Sequence, residues 1–400
     1  MASELQILAD DLTDRIGRAV TINDKRWRLE VYTALHEEVD DARLQWILNR
    51  DAPDEVKAWA AELKLARARG PVRTPANPAL GIESRVIFPM RYNDVLVGFM
   101  SIMDRDLSPD DLRIVAMAAD EAAAAKYRDQ LVEGMIRGRE RELLRQLMHP
   151  TEGELRRQAA MFLRDEGLLV GGSGSMVAVV RLASTKDDQP PMSRLFDEAA
   201  ERLRGRITPH TMVMLVNSNH VFMVSTELER LPEMARRLQE TVSQIIPDQA
   251  VVGLGGTVKH LEDSYRSYRQ ALDASQAAAR IPSFDGVATW ENLGVYRVLT
   301  KLQLDQESMT QSLHPALLSL LEVDPQRTLI HTLETYLDLG TNAKATATRL
   351  ILHRAGLYHR LARIRAITGV SLRDGETLLG LHLSIKLARL AGLYDHPQAS

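Results

Sequence analysis

The stretch TNAKATATRLILHRAGLYHRLARIRAITGVSLR, running from Thr341 to Arg373, decides how this chain is read. Seven of its residues are Lys or Arg (Lys344, Arg349, Arg354, Arg360, Arg363, Arg365, Arg373), and none is Asp or Glu. The chain as a whole is net −4, so the stretch's +7 leaves −11 on the remainder. A basic block in an otherwise acidic protein marks a local polyanion-binding surface, because charge governs association rather than fold. The block also carries helical periodicity, which makes it a folded element and not a disordered basic tail.

Asn342 is placed to cap a helix over 343–351, and a second helix is expected over 353–368, ending at Gly369. Two short helices around a tight turn, inside a helical bundle, predict a helix-turn-helix over 342–368. The bundle is completed by a helix over 328–339 that stops at Gly340. A last helix opens at Asp374 and is expected to pack Leu378, Leu379, Leu383, Leu387 and Leu390. Within the second short helix, Leu357, Leu361 and Ile364 recur at i, i+4, i+7 and define a buried stripe. Opposite lie Ala355, His359, Ala362, Arg363 and Ala366, flanked by Arg354, Tyr358, Arg360 and Arg365. A face of small residues suits close approach to a groove, and basic flanks suit the phosphates beside it. Ala355, Gly356, Tyr358 and His359 are therefore expected nearest base edges, with Arg354, Arg360, Arg363 and Arg365 on the backbone. Asn342, Lys344, Thr346, Arg349 and His353 complete the candidate DNA-binding set.

Working outward, 400 residues with 45% hydrophobic and 26% charged content suggest about three domains at roughly 100–200 residues each. The absence of cysteine excludes disulfides, thiolate zinc sites and cysteine nucleophiles. His353 and His359 are six residues apart, which does not bring them to one helical face, so no metal and no cofactor is expected. The N-terminal residues are acidic and amphipathic, and no apolar run approaches the roughly 18 residues a membrane span needs. The expectation is a soluble, cytoplasmic protein without a membrane partner.

From the N-terminus, a helix is expected over 4–19, then a strand over 19–24 and a mixed helical region over 26–69. Two strands at 85–90 and 95–102 form a hairpin about the turn 91–94. Ser108-Pro109-Asp110-Asp111 is a helix start, for a helix reaching about residue 148 that Gly134 and Gly138 weaken. A helical connector occupies 151–168. From 176 to about 290 strands and helices alternate in an α+β domain with a hairpin at Asn217-Ser-Asn-His220. Neither Gly171-Gly-Ser-Gly-Ser175 nor Val252-Gly-Leu-Gly-Gly256 is a phosphate loop: the first opens a strand, and both lack the Lys-Ser/Thr ending.

Three resemblances follow from these residues. The run Asn342…Thr346-Ala347…Leu350-Ile-Leu-His353-Arg354…Leu357…Arg360-Leu361…Ile364…Thr368-Gly369…Leu372-Arg-Asp374 resembles the C-terminal helix-turn-helix of PucR/CdaR-family bacterial transcription regulators. Where that family has His-Arg-Asn-Thr-Leu-x-Tyr, this chain has Ala355-Gly356 and His359, so two hydrogen-bonding side chains are absent near the groove. The segment from Val252 to Leu272 resembles the degenerate GGDEF-type domain of the same family. A nucleotide cyclase of that kind needs two glycines and acidic metal ligands at its hairpin, and Asn217–His220 supplies neither. The region around Val97-Gly98-Phe-Met-Ser-Ile102 and Leu107-Ser-Pro-Asp-Asp-Leu112 resembles a GAF sensory domain.

The resemblance implies a multidomain α+β regulator: a GAF-like α/β sensor over 1–125, a helical linker over 126–170, a degenerate GGDEF-like α+β domain over 171–290 and an all-α DNA-binding domain over 291–400. Its implied partners are double-stranded DNA, a second copy of the chain in a homodimer and a small-molecule effector at the N-terminal domain. It is not expected to be an enzyme. The alternatives are a cyclic-nucleotide signalling enzyme and a non-catalytic interaction scaffold.

Overall fold

The computed structural model describes residues 3–33, 46–49, 51–183, 193–204, 207, 210–245, 249–302 and 306–393. It divides into two compact units, Met1–Gly138 and Arg139–Ser400.

The first unit begins with α1 (Glu4–Ile16), capped by the Ser3 hydroxyl and closed by Gly17 in the left-handed conformation. Strands β1 (Val20–Asp24) and β2 (Leu29–Tyr32) follow, then α2 (Asp54–Glu62), β3 (Val72–Thr74), β4 (Arg85–Tyr92), β5 (Val95–Met103) and α3 (Pro109–Leu147). The strands form one antiparallel sheet in the order β2-β1-β5-β4-β3. The β4–β5 turn places both Asn93 and Asp94 at positive φ, the geometry that matches the right-handed twist of a two-residue hairpin. One sheet face packs Val20, Ile22, Phe88, Met100 and Ile102 against Ala9 and Leu12 of α1 and Val115, Ala119 and Ala122 of α3. The other face carries Ile87 and Phe99 beneath α2 and Trp27. Trp27 stacks on Phe99 at 4.2 Å between ring centroids and lies parallel to Trp46 at 6.3 Å.

The expected mixed helix over 26–69 is corrected by β2, whose Leu29 and Val31 are buried while Glu30 and Tyr32 are exposed. Four residues are too few for their alternation to stand out between charged neighbours. The portion of that expectation over 34–45 lies outside the described residues. Helix α3 runs unbroken past Gly134 and Gly138, so an intrinsic cost of about 1 kcal/mol per glycine is absorbed over 39 residues. Its start is a reciprocal cap: the Asp111 N–H donates to Ser108 Oγ at 3.1 Å, and the Ser108 N–H donates to Asp111 Oδ2 at 2.9 Å.

The second unit contains α4 (Gly153–Asp165), β6 (Met176–Leu182), α5 (Ser193–Arg204), β7 (Met212–Val216), β8 (His220–Ser225), α6 (Leu231–Ile245), β9 (Ala250–Leu254), α7 (Ser264–Arg280) and β10 (Val287–Thr289). Its sheet has the order β10-β9-β6-β8-β7, antiparallel except for the parallel β9–β10 pair. Helices α5 and α6 bury Phe196, Leu203, Met234 and Leu238 on one face. On the other, α4, α7 and the end of α3 bury Leu144, Leu147, Leu163 and Ala271 against Val177, Val179 and Phe222. The Gly253-Leu-Gly255 spacing has a packing cause. A Cβ at Gly253 would lie 2.0 Å from the Ala271 carbonyl oxygen, and one at Gly255 would lie 2.0 Å from that of Ser267. Strand β9 therefore touches the α7 backbone directly, at a distance no other residue allows.

The C-terminal bundle follows: α8 (Tyr296–Leu299), α9 (Gln306–Gln311), α10 (Pro315–Val323), α11 (Thr328–Asp338), α12 (Ala343–Arg349), α13 (Arg354–Thr368) and α14 (Gly375–Leu390). Its core joins Leu317, Leu320, Ile330, Leu333, Leu357, Leu361, Ile364, Leu381, Ile385 and Ala388. The expected packing of α14 needs correction at two positions, since Leu379 is 61% exposed and Leu383 is 37% exposed. The leucine-rich helix buries instead the face that carries Leu381, Ser384, Ile385 and Ala388.

Candidate DNA-binding interface

Helix α12 is set by its cap. Asn342 Oδ1 accepts from the backbone N–H groups of Lys344 and Ala345 at 3.1 and 3.0 Å, which satisfies two donors the first turn would leave open. The helix ends at Arg349, two residues earlier than expected, because Ile351 turns into the left-handed region at φ 54° and its side chain is 93% exposed. That conformation is sterically costly for a β-branched residue. It swings the chain directly into α13.

Helix α13 buries Leu357, Leu361 and Ile364 at 0%, 6% and 0% exposure. Arg354, Ala355, Tyr358, His359, Ala362, Arg363, Arg365 and Ala366 are exposed. Three further candidates are placed differently from the expected presentation. Thr346 is fully buried, and its hydroxyl donates to the Asn342 carbonyl at 2.8 Å, so it faces the core. The Asn342 side chain is committed to its cap. Arg360 is half-buried, and its Nη1 donates to Thr332 Oγ1 of α11 at 3.1 Å. Arg360 thus ties the second helix to its scaffold.

Two features of this surface suit a polyanion. Lys344, Arg349, Arg354, Arg363, Arg365 and Arg373 are exposed and make no ion pair among the described residues. At the head of α13, His353 makes no side-chain cap hydrogen bond, which leaves the positive end of the helix dipole and its first N–H groups open to an anion. A Cβ at Gly356 would meet nothing within 4 Å, so the first turn is open to close approach from outside. Arg373, between α13 and α14, was visible in the charge count but had no helical position to assign it to the face.

The hairpin turn of the second unit is chemically occupied. His220 Nδ1 pairs with Asn219 Oδ1 at 2.8 Å, while its Nε2 lies 3.0 Å from Asn217 Nδ2 and 2.9 Å from the Tyr268 hydroxyl. The network is satisfied by a neutral ring that donates from Nδ1 to Asn219 and whose single Nε2 lone pair is shared by the Asn217 amide and the Tyr268 hydroxyl. Burial, with help from Arg181, lowers the His220 pKa to about 4. Since the unfolded chain takes up this proton first, stability is full above about pH 6.5 and is lost as pH falls toward about 4, on the order of 2–3 kcal/mol. Urea titrations across that range are expected to show the slope in the parent and not in His220→Asn. An unchanged slope would refute the neutral-ring assignment. No group of three or more His, Asp or Glu side chains among the described residues could hold a metal.

A capped helix, a tight turn and a second helix with an open, unpaired cationic face define a helix-turn-helix DNA-binding protein. Residues 329–387 match the PucR C-terminal helix-turn-helix domain, and residues 149–277 match the GGDEF-like domain. The chain thus carries both a PucR-type helix-turn-helix and a GGDEF-like domain. It is similar to the proline-responsive transcriptional activator PutR of Bacillus subtilis (strain 168), 22% identical over 410 residues covering 97% of each chain. The DNA-binding transcriptional activator AdeR of the same organism is 23% identical over 417 residues, 96% of this chain and 93% of AdeR. The purine catabolism regulatory protein of that organism is 28% identical over 155 residues, which cover 38% of this chain and 29% of that protein. Among the described residues no helix is long and apolar enough to cross a membrane.

Proposed function

We propose that this regulator is a non-catalytic, cytoplasmic homodimer whose N-terminal unit senses a small effector and thereby controls how the α13 helices meet DNA. Residues 1–125 act as a GAF-like sensor, 126–170 as a linker, 171–290 as a GGDEF-like mount and 291–400 as the DNA-binding part. Arg354, Arg363 and Arg365, with Lys344 and Arg349 ahead of them, contact phosphates. Ala355, Gly356, Tyr358 and His359 face the bases. Catalysis is not part of the reading, because Asn217, Asn219 and His220 of the turn are spent on one another and the turn includes no carboxylate. The dimer is supported by Leu131, Val132, Met135 and Ile136 of α3, which are 51%, 47%, 69% and 47% exposed and adjacent at i, i+1, i+4, i+5.

The sensing role is carried by Asn23. Its amide is 0% exposed, and among the described residues neither Oδ1 nor Nδ2 has a hydrogen-bond partner. Thr21 Oγ1, two residues back on the same face of β1, and Trp46 Nε1 share that condition. Asn23 lies across from Phe99 in the β1–β5 register, and Phe99 stacks on Trp27, which lies parallel to Trp46. These orphaned groups therefore gather over one face of the first sheet. Each such buried group costs about 1–3 kcal/mol when left unmade, a cost that a ligand with matching donors and acceptors would remove. PutR, similar over 97% of this chain, is proline-responsive by name, which makes proline the first probe. In thermal melts, a probe that binds is expected to raise the parent's Tm, and Asn23→Leu is expected to raise the ligand-free Tm while abolishing that response. A response preserved in Asn23→Leu would defeat the assignment.

A further inference from the structure

The outward face of α7 has no part in the reading above. Arg266, Arg269, Gln270 and Asp273 fall at i, i+3, i+4, i+7, one stripe of the helix, while the opposite stripe is fastened to β9 through Gly253 and Gly255. With Tyr265, Trp290 and Lys301 the outward stripe lines a cleft of about 620 Å³. That volume lies within the roughly 300–1,000 Å³ usual for small-molecule sites.

The walls of the cleft are held in place. Gln270 Oε1 accepts from the Gly256 N–H at 2.9 Å. The Arg297 guanidinium lies 5.3 Å and the Lys301 ammonium 5.4 Å from the Trp290 ring centroid, and Arg297 is itself bonded to the Trp290 and Glu291 carbonyls. The guanidinium of Arg156 lies 5.6 Å from the Tyr265 ring. Against these fixed walls, Arg266 and Arg269 are exposed and make no ion pair among the described residues. Burial pushes the Asp273 carboxyl up, against the pull of Arg269 and Lys301, and Asp273 is the one acid in the lining. Three cations facing one carboxylate leave a surplus that matches a phosphate dianion. None of the Asn217–His220 turn belongs to this lining.

We infer that the α7 cleft binds a small organic phosphate of nucleoside-monophosphate size, its phosphate held by Arg266, Arg269 and Lys301 and its organic part lying along Trp290 and Tyr265. The inference is independent of effector sensing in the first unit. Calorimetric titration of the full chain with AMP, adenosine and inorganic phosphate tests it. AMP is expected to saturate the protein and to bind at least about tenfold more tightly than either fragment. Arg269→Glu and Lys301→Glu, each shown folded by its melting curve, are expected to weaken AMP by about tenfold or more, with Arg269→Lys partly restoring it. The inference is overturned if AMP fails to saturate at about 10 mM, or if both charge reversals leave its affinity unchanged. It is equally overturned if the reversals lower affinity for DNA while AMP does not bind, since the cleft would then be a backbone contact.

Discussion

Replacing Arg349, Arg354 and Arg363 together by alanine is expected to weaken binding to double-stranded DNA of every sequence by about 10²–10³-fold at about 0.1 M salt. The magnitude follows from counterion release, in which each neutralised phosphate contributes about 0.9 to the slope of log affinity against log salt. Three lost contacts should flatten that slope by about 2.7. All three side chains are exposed and lack acid partners among the described residues, so their removal leaves no buried group behind and the melting curve should not move. Light scattering of the parent complex should report two chains per site. Arg360 is left out deliberately. Its bond to Thr332 means that Arg360→Ala disturbs the seating of α13, which would confound a loss of phosphate contact with a loss of fold. Fluorescence titrations over a range of salt check the result. A triple variant with the parent's affinity would remove α13 from the DNA interface.

The second large effect is expected inside the bundle. Glu334 is 2% exposed; its Oε1 accepts from Lys386 Nζ at 2.9 Å and its Oε2 from Arg389 Nη2 at 2.5 Å. Lys386 also donates to Asp338, which pairs with His382 at 2.7 Å. These groups join α11 to α14. Glu334→Ala leaves the Arg389 cation buried without its carboxylate, and breaking a buried pair in this way costs about 3–5 kcal/mol. Denaturant titration should show that loss, and adding Arg389→Met should recover much of it, because a well-packed apolar pair is often neutral. A loss below about 1 kcal/mol would mean that water reaches Arg389. Asp338 adds a pH signature. Burial opposes its ionisation, but His382 and Lys386 prevail and hold it at about 2. Its contribution is therefore present above about pH 4, the ordinary carboxylate range, and is lost as pH falls toward about 2.

Where a residue's role is local, the sequence was a good guide. Ser108 and Asp111, Asn342, and the Leu357-Leu361-Ile364 stripe all act through neighbours three or four positions away, and the structure places them as their spacing implies. Legibility ended where the deciding partner is distant in the chain. Nothing around Arg360 reveals Thr332, 28 residues earlier. The inward turn of Thr346 depends on how α12 packs into the bundle. Val287–Thr289 is a strand only because β9 lies beside it in parallel. On α14, leucine on several sides concealed which face the bundle takes, and Leu379 and Leu383 were assigned to the wrong one. In Val252-Gly-Leu-Gly-Gly256 the sequence could exclude a phosphate loop, but the positive reason for the glycines, contact with the α7 backbone, needed the third dimension.

That contact also bears on how this protein can be taken apart. Helix α7 lies on β9 through Gly253 and Gly255, and its Ala274, Ala277 and Ala278 share a buried cluster with Ile281, Tyr296, Leu299 and Leu390 of α14. A DNA-reading fragment cut at residue 291 would carry Leu390 into water and lose the surface its final helix rests on. For grafting a new sensor onto this reader, the seam belongs near residue 138, where the two compact units divide, with the GGDEF-like domain retained as the reader's foundation.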